Sequence, residues 1–229
     1  MKIHGLQKMT LLDYPGKVAC TVFLGGCEFR CPFCHNWELI DMSAPAIMDD
    51  TELLKFLETR RGLLDGVAFT GGEPLLRKDL PELIRRIRDM GFLIKLDTNG
   101  NNPEPLAAVV GEGLIDYVAM DIKNSPERYG ETIGLPGYDI SNVLASAEFL
   151  LKGSVEYEFR TTVVKQFHDR ESFEKIGEWI KGAEKYYLQV FVDRETVPYS
   201  GLESYTKEEM EEFLNIVKKS VKHAEIRGF

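Results

Sequence analysis

The chain has 229 residues, of which 44% are hydrophobic and 28% charged, and its formal net charge is −9. No run of about 18 apolar residues occurs, which excludes a membrane-spanning helix, and the acidic balance disfavours a nucleic-acid partner, whose phosphates require Lys and Arg. We therefore expect a globular protein whose partners are proteins or small molecules. The first residues lack the apolar segment of a signal peptide, so the expected location is the cytoplasm.

Short apolar runs alternate with amphipathic stretches along the whole chain. The runs predict six strands, at residues 18–24, 66–70, 92–98, 117–122, 156–164 and 186–192, and a last extended piece at 223–226. The amphipathic stretches predict helices at residues 51–60, 79–90, 141–151, 171–181 and 207–219. Strands that alternate with helices form parallel βαβ units. Because six are too few for a closed barrel of eight, we expect an α/β fold, an open partial (β/α)6 barrel of the TIM type, in a single domain spanning 1–229.

Three of the four cysteines lie within eight residues, directly after the first predicted strand. Cys27, Cys31 and Cys34 form a C-x3-C-x2-C pattern, and clustered thiols in a reducing compartment are typical of metal ligands. The same spacing would also place them on one stripe of a helix, as core residues. The preceding Gly-Gly pair and Pro32 disfavour a continuous helix, so the pattern favours a loop that folds around a metal centre.

The number of thiols bears on the kind of metal centre. A structural zinc site takes four ligands in a closed tetrahedron. His35 is adjacent to Cys34 and poorly placed to be the fourth ligand, and Cys20 lies inside an apolar strand, where a core role is expected. Three cysteines without a fourth partner suit a [4Fe–4S] cluster with one open iron. Zinc and inert core thiols stay open as the alternatives.

Polar motifs follow the next three predicted strands. They are GGEP at 71–74, LDTNG at 96–100 and MDIK at 120–123. Glycines allow a close approach of the backbone to a ligand, and side chains two apart on a strand, such as Asp121 and Lys123, share a face. Each motif also has an ordinary interpretation, as a turn that starts a helix, an Asn-Gly turn or a surface ion pair. Their position at the ends of parallel strands, where a barrel presents its active site, favours a ligand site.

Residues 7–39, QKMTLLDYPGKVACTVFLGGCEFRCPFCHNWEL, carry a resemblance to a known family. With Phe33 before the last cysteine, the triplet resembles the signature of the radical S-adenosylmethionine (SAM) superfamily. The wider segment resembles the glycyl-radical-enzyme activating proteins, of the type named for anaerobic ribonucleoside-triphosphate reductase and pyruvate formate-lyase activation. The likeness is dense up to Lys123 and thinner after it. It implies that SAM binds at the open iron of the cluster.

The resemblance also assigns roles to the motif residues. It implies that the GGE segment holds the methionine amino group of SAM and that Lys123 faces the methionine carboxylate. It further implies that Asp97, Thr98 and Asp121 contribute to a monovalent-cation site. Arg160 is a further candidate contact, since Arg pairs well with carboxylates, although a surface salt bridge explains it equally well. The implied cofactor-binding residues are Phe33, Cys34, His35, Gly71, Gly72, Glu73, Asp97, Thr98, Asp121, Lys123 and Arg160, with Cys27, Cys31 and Cys34 as metal ligands.

The implied reaction requires no catalytic side chain beyond the cofactors. A reduced cluster cleaves SAM to a 5′-deoxyadenosyl radical, which removes a hydrogen atom from a glycine of a partner enzyme. The partner expected first is anaerobic ribonucleoside-triphosphate reductase and the second is pyruvate formate-lyase, with flavodoxin or ferredoxin as electron donor. Only 36 residues, none of them cysteine, separate Cys34 from Gly71, which excludes the ferredoxin-like insert of some activating enzymes.

Two other functions stay open at the level of the sequence. One is a radical SAM enzyme that acts on a small molecule, of the 7-carboxy-7-deazaguanine synthase type, which is also short. The other is a non-enzymatic iron–sulfur electron carrier, which would need neither GGEP nor the D-x-K pair. The adenine contact is open as well, because the family often has a His at the end of the last strand. This chain has Gln189, Val192 and Asp193 there.

Overall fold

One sheet of eight strands runs through the chain, in a computed structural model that describes residues 1–229. The strands are β1 (Lys2–Ile3), β2 (Gly5–Thr10), β3 (Ala19–Leu24), β4 (Met48–Asp49), β5 (Gly66–Gly71), β6 (Leu93–Thr98), β7 (Tyr117–Asp121), β8 (Glu156–Val163), β9 (Lys185–Val190) and β10 (His223–Arg227). β1 and β4 form a separate antiparallel pair, and the large sheet has the order β10-β9-β8-β7-β6-β5-β3-β2. All of its strands are parallel except β2, which joins β3 antiparallel at one edge. Because the edge strands β2 and β10 do not pair with each other, the barrel is open, as predicted.

Helices alternate with these strands. They are α1 (Asp50–Glu58), α2 (Leu80–Asp89), α3 (Pro103–Gly111), α4 (Tyr129–Thr132), α5 (Ser141–Leu151), α6 (Arg170–Trp179) and α7 (Lys207–Val217). Capping boxes begin α1, α6 and α7, where the side chains of Asp49, Asp169 and Thr206 accept the backbone N–H three residues later. α6 and α7 each follow a loop from the carboxyl end of a parallel strand, so their boxes hold the far ends of those loops in place, whereas α1 follows β4 directly.

The faces of the parallel strands differ in polarity. Val67 and Phe69 of β5, and Ile94 and Leu96 of β6, are fully buried in the apolar core. Such runs are expected of a parallel sheet whose outer face is covered by helices. The alternate residues of β6 point into the barrel, and they include the charged side chain of Asp97. The polar interior therefore opens at the carboxyl ends of the strands.

The predicted elements agree with the structure to within two residues at each end. Five elements were not predicted: the short β1, β4 and α4, and the longer β2 and α3. β2 is a partly exposed edge strand, GLQKMT, which lacks an apolar run. α3 begins with Pro-Glu-Pro and has weak amphipathic character, which conceals a helix in the sequence. The extended piece expected at 223–226 is β10 and lies beside β9 in the sheet.

The continuity of the sheet bears on the number of domains. Its strands are drawn from Gly5 to Arg227, which supports the single domain proposed for residues 1–229. No helix here has both the length and the apolar character that crossing a membrane requires.

Candidate active site

The carboxyl ends of the parallel strands surround a cavity of about 440 Å³. All of the predicted site residues except Glu73 line it: Cys27, Cys31, Phe33, Cys34, His35, Gly71, Gly72, Asp97, Thr98, Asp121, Lys123 and Arg160. They come from the loops and ends of five strands, and the parallel topology brings all of those ends to one edge of the sheet.

The three clustered cysteines are unpaired thiols on the loop after β3. Burial raises the pKa of Cys27 to about 12 and that of Cys31 to about 11, and it raises the pKa of Cys34 as well. The metal-free loop therefore holds neutral thiols at pH 7, and metal binding must release their protons. No three side chains of His, Cys, Asp or Glu converge as ligands of a single metal ion, so the geometry gives no support to a mononuclear zinc site.

The two side chains weighed as a fourth ligand make contacts elsewhere. Cys20 is fully buried within β3, where burial raises its pKa to about 12. The His35 ring donates from Nε2 to the Val192 carbonyl at 2.7 Å and stacks on Phe191 with 5.7 Å between ring centroids. His35 thereby joins the cysteine loop to the segment after β9, where the sequence left the adenine contact open.

Glycines allow the cysteine loop to pack directly against the GGEP turn. The backbone N–H of Gly72 donates to the Leu24 carbonyl at 2.8 Å, and that of Glu73 donates to the Gly26 carbonyl at 2.6 Å. A Cβ on Gly72 would lie 2.0 Å from the Gly26 carbonyl oxygen, and the φ of Gly71 is 115°, which favours glycine. The two motifs therefore form one backbone-to-backbone unit that no side chain could enter.

Glu73 does not line the cavity and has no exposed surface. Its carboxylate accepts hydrogen bonds from the backbone N–H groups of Leu75 at 3.0 Å and Asn99 at 2.7 Å, and from the hydroxyl of Thr98 at 3.0 Å. Burial raises the pKa of Glu73 to about 8, against the effect of these three donors. The side chain ties the turn after β5 to the turn after β6, so Glu73 positions the site rather than lining it.

Five charged side chains form a chain of ion pairs at the ends of β6, β7 and β8. Arg160 contacts Asp121 at 2.5 Å and Asp97 at 3.1 Å. Lys123 contacts Asp121 at 2.8 Å, and Lys95 contacts Asp97. Burial alone would raise the pKa of both carboxyl groups, but the cations hold both values below the usual range. Three positive and two negative side chains leave the group with net positive charge beside the cavity, which suits an anionic ligand group.

The cavity also includes residues outside the predicted set, among them Asp13, Asn36, Thr70, Asn99 and Arg194. Asp13 accepts a hydrogen bond from the Thr21 hydroxyl at 2.6 Å, and the Asn99 amide lies 3.7 Å from the Cys27 sulfur. The only sequence signal for Asp13 and Asn36 is their place within the 7–39 segment. Arg194 lies on the loop after β9, where no motif marks it.

The chain is similar to known proteins over most of its length. The model of the radical SAM superfamily matches residues 21–180. A protein of Methanocaldococcus jannaschii that is named a glycyl-radical enzyme activating enzyme is 31% identical over 236 residues, covering 98% of this chain and 95% of that protein. The pyruvate formate-lyase 1-activating enzyme of Escherichia coli K12 is 27% identical over 188 residues, covering 79% of this chain and 75% of that enzyme.

Solved structures share the fold. A domain of pyruvate-formate lyase-activating enzyme from Bacteroides vulgatus has a TM-score of 0.58 at 18% identity, covering 71% of this chain and 99% of that domain. Streptococcus suis SuiB bound to S-adenosylmethionine has a TM-score of 0.70 at 10% identity, covering 91% of this chain and 52% of SuiB. At such identities the likeness shows the open α/β barrel alone. The family match and the relative that spans nearly the whole chain go further: this chain belongs to the radical SAM superfamily and, within it, to the glycyl-radical-enzyme activating enzymes.

Proposed function

We propose that this activating enzyme forms its glycyl radical on an anaerobic ribonucleoside-triphosphate reductase. The observation that carries the proposal is the cavity, where three unpaired thiols and a net positive group of side chains meet at the carboxyl ends of an open barrel. The choice of partner is supported by the resemblance of residues 7–39. Pyruvate formate-lyase is the second candidate, supported by the similarity to the Escherichia coli enzyme.

We assign the [4Fe–4S] cluster to Cys27, Cys31 and Cys34. These residues suit it because they lie on one loop, line one cavity and are unpaired. A cuboidal cluster takes each thiolate at a separate iron, so the sulfur atoms need not converge on a single point. When bound, the cluster and SAM supply the one-electron chemistry that no side chain of the chain provides.

The methionine end of SAM is assigned to the GGEP turn and the charged group. Lys123 and Arg160 offer N–H donors to the carboxylate, and the backbone around Gly71 and Gly72 lines the cavity, where carbonyl oxygens accept from the amino group. The net positive charge of the ion-pair chain favours the carboxylate electrostatically. Phe33 and His35 line the same cavity and are assigned as cofactor neighbours.

The open side of the barrel supports a macromolecular substrate. β2 and β10 are unpaired at their outer edges, so the sheet does not close around the interior. A glycine on a partner's loop has to come within contact of the bound SAM, and an unclosed barrel admits such a loop.

Other expectations from the sequence stay predictions. Flavodoxin or ferredoxin stays the predicted electron donor. The cytoplasm stays the predicted location, in keeping with four unpaired cysteines. The monovalent cation expected beside Asp97 and Asp121 also stays a prediction at this point.

A direct comparison of partners tests the proposal. The enzyme is reconstituted with iron and sulfide, reduced anaerobically and mixed with SAM and either the purified reductase or the formate-lyase. We expect a glycyl radical signal in electron paramagnetic resonance with the reductase. A signal with the lyase alone would reassign the partner. SAM cleavage with no glycyl signal in either mixture, together with turnover of a small pterin-like molecule, would favour the small-molecule alternative.

A further inference from the structure

Lys95 places a lysine side chain in the interior of the barrel, and neither the motifs nor the comparisons give it a role. Its side chain is 2% exposed. It precedes Asp97 by two residues on β6, so both side chains point to the same face of the strand, and its ammonium contacts the Asp97 carboxylate. Buried lysines are rare unless they are paired, which indicates that this position requires a positive charge.

The carboxylates that would hold a monovalent cation already have protein partners on every oxygen. One oxygen of Asp97 accepts from Lys95 and the other from Arg160 at 3.1 Å. One oxygen of Asp121 accepts from Arg160 at 2.5 Å and the other from Lys123 at 2.8 Å. A metal ion would have to displace N–H donors that are themselves buried (Lys95) or half-buried (Lys123 and Arg160), and each displaced donor would lose its partner.

The third residue expected at the cation site is also engaged elsewhere. The Thr98 hydroxyl donates to Glu73 at 3.0 Å and accepts from the backbone N–H of Gly100 at 3.1 Å. Its oxygen therefore belongs to the Glu73 hydrogen-bond network. The side chains of Asp97, Thr98 and Asp121 do not fit a metal-ion site in this chain.

The charge of the group leads to the same conclusion. Lys95, Lys123 and Arg160 exceed Asp97 and Asp121 by one positive charge. An added metal ion would raise the positive charge of these five side chains further at a site with little exposure, and such burial of charge is unfavourable.

We propose that the Lys95 ammonium occupies the position of the monovalent cation, so that this enzyme folds and binds SAM without Na⁺ or K⁺. The inference rests on the proposed SAM site, with Asp97 and Asp121 beside the methionine carboxylate. Lys95 is a positioning residue, because it touches the carboxylate of Asp97 and not the ligand. Through Asp97 it holds Arg160, and through Arg160 it holds Asp121 and Lys123.

Cation dependence of the metal-free protein tests this directly, without any need for activity. Thermal unfolding is followed in NaCl, KCl and choline chloride at equal ionic strength, since choline is too large for the site. Binding of Na⁺ is followed by the linewidth of its NMR signal. We expect the midpoint of unfolding of the wild type to be the same in the three salts, with no broadening of the sodium signal.

The variant Lys95→Met gives the complementary result. Its matched control is Lys152→Met, because the Lys152 side chain is exposed at the carboxyl end of α5. We expect Lys95→Met to be stabilised by Na⁺ or K⁺ relative to choline. We also expect its affinity for SAM, measured by equilibrium dialysis on the reconstituted protein, to fall about tenfold when choline replaces K⁺. Lys152→Met should behave as the wild type.

The inference would be overturned if the midpoint of unfolding of the wild type were higher in Na⁺ or K⁺ than in choline. A broadened sodium signal with the wild type would have the same consequence. A folded Lys95→Met that ignores the cation would also overturn it, because the ammonium would then not stand in an ion's place. If Lys95→Met does not fold, the wild-type measurements decide. If the reconstituted wild type did not cleave SAM, that result would count against the proposed function. The cation measurements on the metal-free protein would still decide the role of Lys95.

Discussion

Glu73 and His168 act on the site without lining its cavity. Glu73 joins two strand-end turns through three hydrogen bonds. His168, which is 1% exposed, donates from Nε2 to the Lys123 carbonyl at 2.8 Å and accepts at Nδ1 from the Val164 N–H at 3.1 Å. A neutral ring alone can make both bonds. Both residues therefore fix the backbone from which cavity residues project, and their effects are expected in stability as well as in binding.

Glu73→Gln tests the network of three donors. In the variant, an amide N–H₂ group replaces one of the two oxygens that now accept hydrogen bonds. This group would face either the donors of Leu75 and Thr98 or the donor of Asn99, and it cannot accept from them. We expect the free energy of unfolding in urea to fall by about 1–3 kcal/mol and SAM affinity to weaken with it. Glu211→Gln, an exposed position on α7, is the control and should leave both unchanged. Equal effects of the two substitutions would contradict the role of Glu73.

His168 gives the stability a defined pH dependence. Burial lowers its pKa to about 4, whereas the unfolded chain binds the proton near pH 6.5. Between these values the unfolded state binds more protons, so the contribution of His168 is lost as the pH falls through that window, by about 1.4 kcal/mol per pH unit. Glu73, whose pKa is raised, contributes a slope of the opposite sign over part of this window, so the informative quantity is the difference between variants. In urea unfolding at a series of pH values, the free energy of unfolding of the wild type should fall with this slope relative to that of His168→Gln as the pH falls. His223→Gln, at an exposed position, should keep the wild-type slope, and an unaltered slope in His168→Gln would refute the assignment.

At the scale of elements, the contact between the cysteine loop and the GGEP turn is the central feature. The sequence predicts that both motifs follow neighbouring strands, because βαβ alternation is a local pattern. The contact of the Gly72 Cα with the Gly26 carbonyl is not predictable in this way, since it depends on how β3 and β5 pair (Leu24 opposite Gly71). The strand β2 and the helix α3 were missed for a related reason, since their sequences carry no periodic apolar signal.

Gly72→Ala tests that contact. The added methyl group would lie 2.0 Å from a backbone oxygen, so the cysteine loop must shift. We expect the iron content after anaerobic reconstitution to fall to less than about a tenth of the wild-type value. A decrease of several kcal/mol in the binding free energy of the cluster would have this effect. Gly111→Ala, at the end of α3 with no atom near its Cβ, is the matched control and should bind iron normally. Full iron content in Gly72→Ala would show that the loop does not depend on this packing.

At the scale of the molecule, the parallel topology makes the site predictable in outline. It brings the carboxyl ends of all the parallel strands to one edge, so motifs far apart in sequence could be expected to meet. The register between strands cannot be read from one sequence, and register decides the details. Arg160 pairs with Asp121 across β7 and β8, which lets one guanidinium bridge two aspartates. The burial of the Lys95 ammonium could not be predicted either, because it lies within a strand whose sequence is otherwise typical of an apolar core strand.

The central claim is that the cysteine loop and the charged group form a site that cleaves SAM. The most direct measurement is the 5′-deoxyadenosine formed by the reduced, reconstituted enzyme, compared between Cys31→Ala and Cys20→Ala. Both substitutions remove a buried thiol, but only Cys31 lines the cavity. We predict product from the wild type and from Cys20→Ala, and none from Cys31→Ala. Product from Cys31→Ala at the wild-type level, or none from the wild type, would contradict the account.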